Sequence, residues 1–267
     1  MRRLRFRPPA RRRAKLPLGF LDIRWHSRAL TKRGAAALHL PPHYEQQRDK
    51  RYPVLYLLHG SGHDRLSVLR DVGPHDHIPL LGEAIFVIPD GDQGWWLDSP
   101  MQPNSQYGAY VLELIGFVDD HYRTVAQRSA RGICGFSMGG FGAMLLASQH
   151  PELFGAASSL LGPLDIVQLF PDHDRLRLLL GPDRDTWQRF NPTCCAEGLV
   201  YTALRFSTGM EASDRPQNEA FASALRSLNI SFEYHLDAGK HDTHFVAQHL
   251  GAHFAFHRRA FDPSMSA

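Results

Sequence analysis

The sequence predicts a single α/β domain built on a mostly parallel central sheet with helices on both faces. Three observations predict it. Apolar residues recur along the chain with periods that alternate between two and about 3.6, the order that stacked strand and helix units require. Val54–His59 and Ala84–Pro89 are continuous apolar runs ending in turn sequences, as expected of strands buried on both faces. The run Gly132-Ile133-Cys134-Gly135-Phe136-Ser137-Met138-Gly139-Gly140 reads as a strand, a G-x-S-x-G turn and the start of a small-residue helix. At 267 residues the chain suits one domain, and 43% hydrophobic with 21% charged residues is a globular composition.

In chain order, Ile23–Ala29 and Ala35–Leu40 read as an opening pair of strands, followed by the two central runs. Tyr107, Tyr110, Val111, Leu114, Ile115, Val118 and Tyr122 share one helical face, so 107–122 is an amphipathic helix against the sheet. Ala130–Phe136 is the motif strand and Gly139–His150 its helix. Gly155–Leu160 follows as a strand, and the irregular, Pro-rich stretch 162–200 reads as a small cap-like insertion. Leu204–Ser207 is a strand, Pro216–Leu228 a helix opened by Pro, and Phe232, Tyr234 and Leu236 alternate as the last strand before a C-terminal helix. The domain is expected over 19–260.

Residues 1–15 hold seven Arg and one Lys without an acid; removing those eight from 30 basic residues leaves 22 against 27 acidic, so the body carries −5. Residues 1–18 are expected to be a disordered basic tail, because Leu4 and Phe6 are interrupted by Arg and then by Pro8-Pro9 and form no secretory core. With no basic counterpart in the body, nucleic acid is not an expected partner. No stretch approaches the length of a membrane span, so no membrane is expected either. Cys134 sits in the motif strand, and the adjacent Cys194-Cys195 can form neither a disulfide framework nor a spaced metal site, which fits a reducing, cytoplasmic setting.

The chemistry rests on Ser137. A serine on a strained strand-to-helix turn needs Gly135 and Gly139 beside it so that strand and helix can approach, and the N–H of Met138 then points where an oxyanion would form. The bland alternative is an ordinary tight turn. A base must come from 16 histidines, and position selects His241, in Gly239-Lys240-His241-Asp242 after the last strand, with His244 as the local rival. A second oxyanion donor is expected from Leu57-Leu58-His59-Gly60-Ser61-Gly62, with the Ser61 N–H as candidate. His75-Asp76-His77 has the look of a metal pair but lacks a third ligand nearby, so no metal is expected.

The segments Tyr52–Gly60, Ile88–Gly91, Trp95-Trp96 with Asp98-Ser99-Pro100, Gly135–Ala143 and Gly239–Asp242 together resemble the esterase D-like family of α/β-hydrolases, over roughly residues 20–255 and in the family's order. That family includes S-formylglutathione hydrolases, feruloyl esterases and mycolyltransferases. The resemblance implies the α/β-hydrolase fold and a serine hydrolase of small carboxylic esters or thioesters. It implies Ser137 as nucleophile, His241 as base, the N–H groups of Ser61 and Met138 as oxyanion hole, and no cofactor. It also implies that the loop bearing Trp95 and Trp96 borders the substrate; the alternative for both is ordinary core packing.

The sequence departs from the family at the acid. Relatives usually show Gly-x-x-Asp after the penultimate strand, and counting from Gly209 that pattern lands on Ala212. Glu211 and Asp214 flank it and are rival partners for His241. Glu211 needs a shift of one residue and is longer; Asp214, slightly favoured, could instead be a helix N-cap with Gln217 completing a capping box. Thr243 also stands where relatives often place an aromatic residue. Two further readings stay open: an acyltransferase on the same scaffold, and a binding protein whose acid position has drifted. The expected partner is a small-molecule ester, with a homodimer left open.

Overall fold

The computed structural model describes residues 16–262; the basic run Arg2–Lys15 lies outside the described residues. Eight strands form one sheet: β1 (Phe20–Ser27), β2 (Lys32–His39), β3 (Val54–Leu58), β4 (Ile85–Pro89), β5 (Arg131–Phe136), β6 (Ala156–Leu160), β7 (Ala203–Gly209) and β8 (Glu233–Asp237). Their spatial order is β1-β2-β4-β3-β5-β6-β7-β8. The hairpin β1–β2 and the β2–β4 pair are antiparallel, and every pair from β4 to β8 is parallel.

The two central runs are buried at every residue, as continuous apolar strands require. Alternate side chains serve opposite faces. Val54, Tyr56 and Leu58 of β3 join one core with α3 (Tyr107–His121), α4 (Met138–Gln149) and α7 (Arg215–Ser227). Leu55 and Leu57 join the other, under α1 (Arg65–Asp71), α2 (Ile78–Leu81) and α8 (Thr243–Phe261). Helix α4 is buried all round, which explains why its sequence is apolar rather than amphipathic.

The differences from the sequence expectations are local. β1 starts at Phe20, three residues before Ile23. Helices α1 and α2 fall in a region the periodicity left unassigned, because seven and four residues are too few to show a period. Asp64 and Ser67 form a reciprocal capping box that starts α1. Between β6 and β7 the chain makes two short 3-10 turns and helices α5 (Asp174–Leu180) and α6 (Arg184–Arg189). Leu176, Leu179, Leu180 and Trp187 of that stretch pack into the first core. No helix among the described residues is long and apolar enough to cross a membrane.

Helix α8 buries two histidines completely beneath the sheet. A hydrogen bond of 2.8 Å joins the Ser158 hydroxyl and His257 Nε2, and one of 3.0 Å joins the Ser207 hydroxyl and His253 Nε2. Gly132 makes room for the first: a Cβ there would sit 2.5 Å from His257 Nδ1. Burial pushes His257 down to about 3 and His253 well below the ordinary imidazole value, with the nearby Arg205 charge adding to the latter. Both are neutral in the fold at pH 7. As pH falls below about 6.5 the unfolded chain takes up protons that the folded chain refuses until about 3 at His257, so stability is lost across that window at ~1.4 kcal/mol per pH unit for each histidine. In urea unfolding between pH 7 and 4, His257→Gln is expected to show a shallower loss than wild type, by one proton's slope. Parallel slopes would contradict this.

Candidate active site

Ser137 is forced into its position by space. Its backbone lies at φ 53°, ψ −122°, a strained conformation for a residue with a side chain. A Cβ on Gly135 would lie 2.1 Å from the Gly139 carbonyl oxygen, and one on Gly139 would lie 2.0 Å from that of Leu58. Strand β5, helix α4 and the end of β3 therefore meet backbone to backbone. The Ser137 N–H donates to the Leu160 carbonyl at 2.8 Å, fixing the turn to β6.

The loop after β8 brings His241 to this serine. The Ser137 hydroxyl donates to His241 Nε2 at 2.9 Å, and His241 Nδ1–H donates to Asp214 Oδ1 at 2.6 Å. A carboxylate only accepts, so the proton lies on Nδ1 and Nε2 is free to accept. Asp214 is 3% exposed, and its other oxygen accepts from the Thr208 hydroxyl at 2.7 Å and Asn218 Nδ2 at 2.9 Å. It stands at the N-cap of α7 but makes no side-chain cap bond; the carboxylate is turned to the imidazole instead. Glu211 is not brought to the histidine: its side chain is 68% exposed, with its nearest cation the Lys240 ammonium at 3.8 Å. Ala212, at the family's acid position, is buried.

On the other side of Ser137 runs the loop after β3. Gly91 N–H donates to His59 Nε2 at 2.8 Å, so the His59 proton lies on Nδ1 and is donated to the Gly60 carbonyl at 2.8 Å. Burial holds His59 neutral, pushed down to about 4. In a trans peptide the Ser61 N–H points opposite to that carbonyl. Among the described residues, neither the Ser61 N–H nor the Met138 N–H meets an acceptor. His59 is a site residue that sequence reasoning placed only as part of a Gly-rich loop. Its signal is a histidine directly before Gly60, at the end of a run otherwise wholly apolar.

The comparisons with known proteins fit this geometry. A model of the Esterase family, described as "Putative esterase", matches residues 27–264. The chain belongs to this esterase family. The esterase Rv1288 of Mycobacterium tuberculosis (strain ATCC 25618 / H37Rv) is 33% identical over 136 residues, 49% of this chain and 29% of that protein. The chain thus matches less than a third of that curated relative's length. An S-formylglutathione hydrolase from Agrobacterium tumefaciens superposes with a TM-score of 0.80 at 22% identity, over 92% of this chain and 98% of that one. The fluorophosphonate-binding serine hydrolase FphF of Staphylococcus aureus gives 0.80 at 19%, over 90% and 98%. At these identities the likeness is one of fold, the α/β-hydrolase fold.

In this esterase-family chain two cavities open on Ser137 and His241. The smaller, about 150 Å³, is walled by Phe136, Leu161, Thr243 and Val246. The larger, about 290 Å³, is walled by Trp95, Leu169, His173, Arg175 and Gln217. Of the tryptophan pair only Trp95 reaches a cavity. Trp96 is a correction to the sequence reading: it is fully buried, its Nε1–H donates to the His59 carbonyl at 3.1 Å, and its ring fills the space left by Gly91 and Gly142. Two successive left-handed residues, at φ 54° and 55°, send the neighbouring rings to different places. His244 reaches neither cavity. His77 bonds the Ala247 carbonyl at 3.0 Å, and no cluster of three metal-ligating side chains occurs among the described residues.

The crowding at Ser137 gives a direct test. Gly139→Ala must push against the Leu58 backbone, and its expected cost is ~3 kcal/mol or more, read by urea unfolding. Gly116→Ala, on the exposed side of α3 with nothing within 4 Å, is expected to stabilise by ~0.5–1 kcal/mol.

Proposed function

We propose that the chain is a serine esterase that cleaves small carboxylic esters or thioesters through an acyl-enzyme. The observation that carries this reading is the continuous relay from Ser137 through His241 to the buried Asp214, at 2.9 and 2.6 Å. Family membership and the two unpaired N–H groups beside the serine support it. The reaction then runs as follows. Ser137 Oγ attacks the ester carbonyl carbon while His241 Nε2 takes the hydroxyl proton, and the N–H groups of Ser61 and Met138 bind the oxyanion. The imidazolium is stabilised by Asp214. His241 returns the proton to the leaving oxygen or sulfur, which departs, and then draws a proton from water as that water attacks the acyl-enzyme. The second attack releases the acid and restores the serine.

Asp214 also weighs against a binding protein with a lost acid, because a carboxylate stands where the relay needs one, two residues beyond the family's usual place. Its two further hydrogen-bond donors, Thr208 and Asn218, hold one orientation, so it keeps His241 in the tautomer that accepts from serine.

The test is hydrolysis of 4-nitrophenyl acetate and labelling by a fluorophosphonate. Ser137→Ala is expected to lose both. Asp214→Asn should lower kcat by about 10⁴-fold by favouring the wrong tautomer, while Glu211→Gln leaves the rate within a small factor. Equal losses at Asp214 and Glu211, or labelling that survives in Ser137→Ala, would refute the assignment.

A further inference from the structure

Resting on the esterase reading, we propose that Arg175 makes the larger cavity a carboxylate-recognition subsite, so that the preferred esters carry a carboxylate on the part of the substrate lodged there. Arg175 lies on α5, half buried. Its Nε–H donates to the Gln93 carbonyl at 2.8 Å, which fixes the guanidinium plane. Among the described residues, neither of its terminal NH₂ groups meets an acceptor and it makes no ion pair. It lines the same cavity as Ser137 and His241.

That cavity offers the guanidinium no partner of its own. The one carboxylate in its wall is Asp214, and both its oxygens are engaged, by His241 on one and by Thr208 and Asn218 on the other. A partly buried cation held by one nitrogen and unpaired at the other two is set for a bidentate anion, and the planar fork matches a carboxylate. His173, in the same wall, accepts the Leu176 N–H at Nδ1 and is kept neutral by burial. The cavity therefore presents a single positive charge, which suits a carboxylate monoanion rather than a phosphate dianion.

A purely structural role is the rival. Arg175 holds the Gln93 carbonyl, and the Gln93 amide oxygen accepts from the Ser61 hydroxyl, so the arginine is also a strut behind the Ser61 loop. A strut acts on every ester alike; a recognition residue acts on the charged ones.

The experiment compares two pairs of esters. 4-Nitrophenyl hydrogen glutarate against 4-nitrophenyl methyl glutarate places the charge on the acyl side; acetylated glycolic acid against its methyl ester places it on the alcohol side. In at least one pair, Arg175→Gln is expected to lower the anionic-to-neutral ratio of kcat/KM by about tenfold or more, mainly through KM. Arg175→Lys should keep part of the ratio, and added salt should shrink it in wild type. An unchanged ratio in both pairs, or equal losses on charged and neutral esters in Arg175→Gln, overturns the subsite while leaving the esterase reading standing. If wild type cleaves none of the four and takes no fluorophosphonate at Ser137, the esterase reading itself fails and the subsite with it.

Discussion

Everything at the site depends on how closely three backbones meet beneath Ser137. The ends of β3 and β5 and the first turn of α4 approach until no Cβ fits on Gly135 or Gly139. That contact costs the serine a strained φ, and it holds only because the surrounding sheet is rigid. The strands that grip it are buried on both faces and hydrogen-bonded on both edges, β3 between β4 and β5, and β5 between β3 and β6. A loose scaffold would relax the turn and carry the hydroxyl away from the imidazole.

The parallel sheet then does the gathering. Strands β3, β5, β7 and β8 run in the same direction, so the loops that leave them open on one edge. Those loops carry Ser61, Ser137, Asp214 and His241, which are scattered over 181 residues of chain from 61 to 241. Three of them are held by hydrogen bonds to strand ends or their neighbours: Gly60, before Ser61, by His59; Ser137 by Leu160 at the end of β6; and Asp214 by Thr208 in β7. The geometry of the relay is thus a property of the sheet more than of any one loop.

What the sequence made legible follows from the same physics. Gly135, Ser137 and Gly139 could be read because a steric demand leaves a residue-type signature, and β3 and β4 because double burial leaves an apolar run. His241 could be placed by chain order. The choice between Glu211 and Asp214 could not be made locally: both flank the family's position, and only the packing of α7, with Asn218 and Thr208 turned toward one carboxylate, separates them. Trp95 and Trp96 are adjacent and chemically identical, and two left-handed backbone angles decide which ring lines a cavity. His173 and Arg175 were illegible for a further reason. They lie in the stretch between β6 and β7, whose short helices carry little period, and they reach the site only through a long-range fold.

The loop that presents Ser61 is braced from behind by charge as well as by His59. Arg65, at the start of α1, is almost fully buried; its backbone N–H donates to Asp90 Oδ1 at 2.8 Å, its guanidinium pairs with the same carboxylate, and its other NH₂ reaches Asp22 on β1 at 3.0 Å. Three elements, β1, β4 and α1, are thereby pinned together just past Gly60–Gly62. A partly buried ion pair of this kind adds little net stability over apolar packing, since desolvation of the arginine offsets much of its attraction. Its value here is directional: breaking one member leaves the other charged and unpaired, so the pair penalises any shift of α1 relative to β4. Because α1 follows the Ser61 loop after only two residues, the penalty is transmitted to the backbone of Ser61.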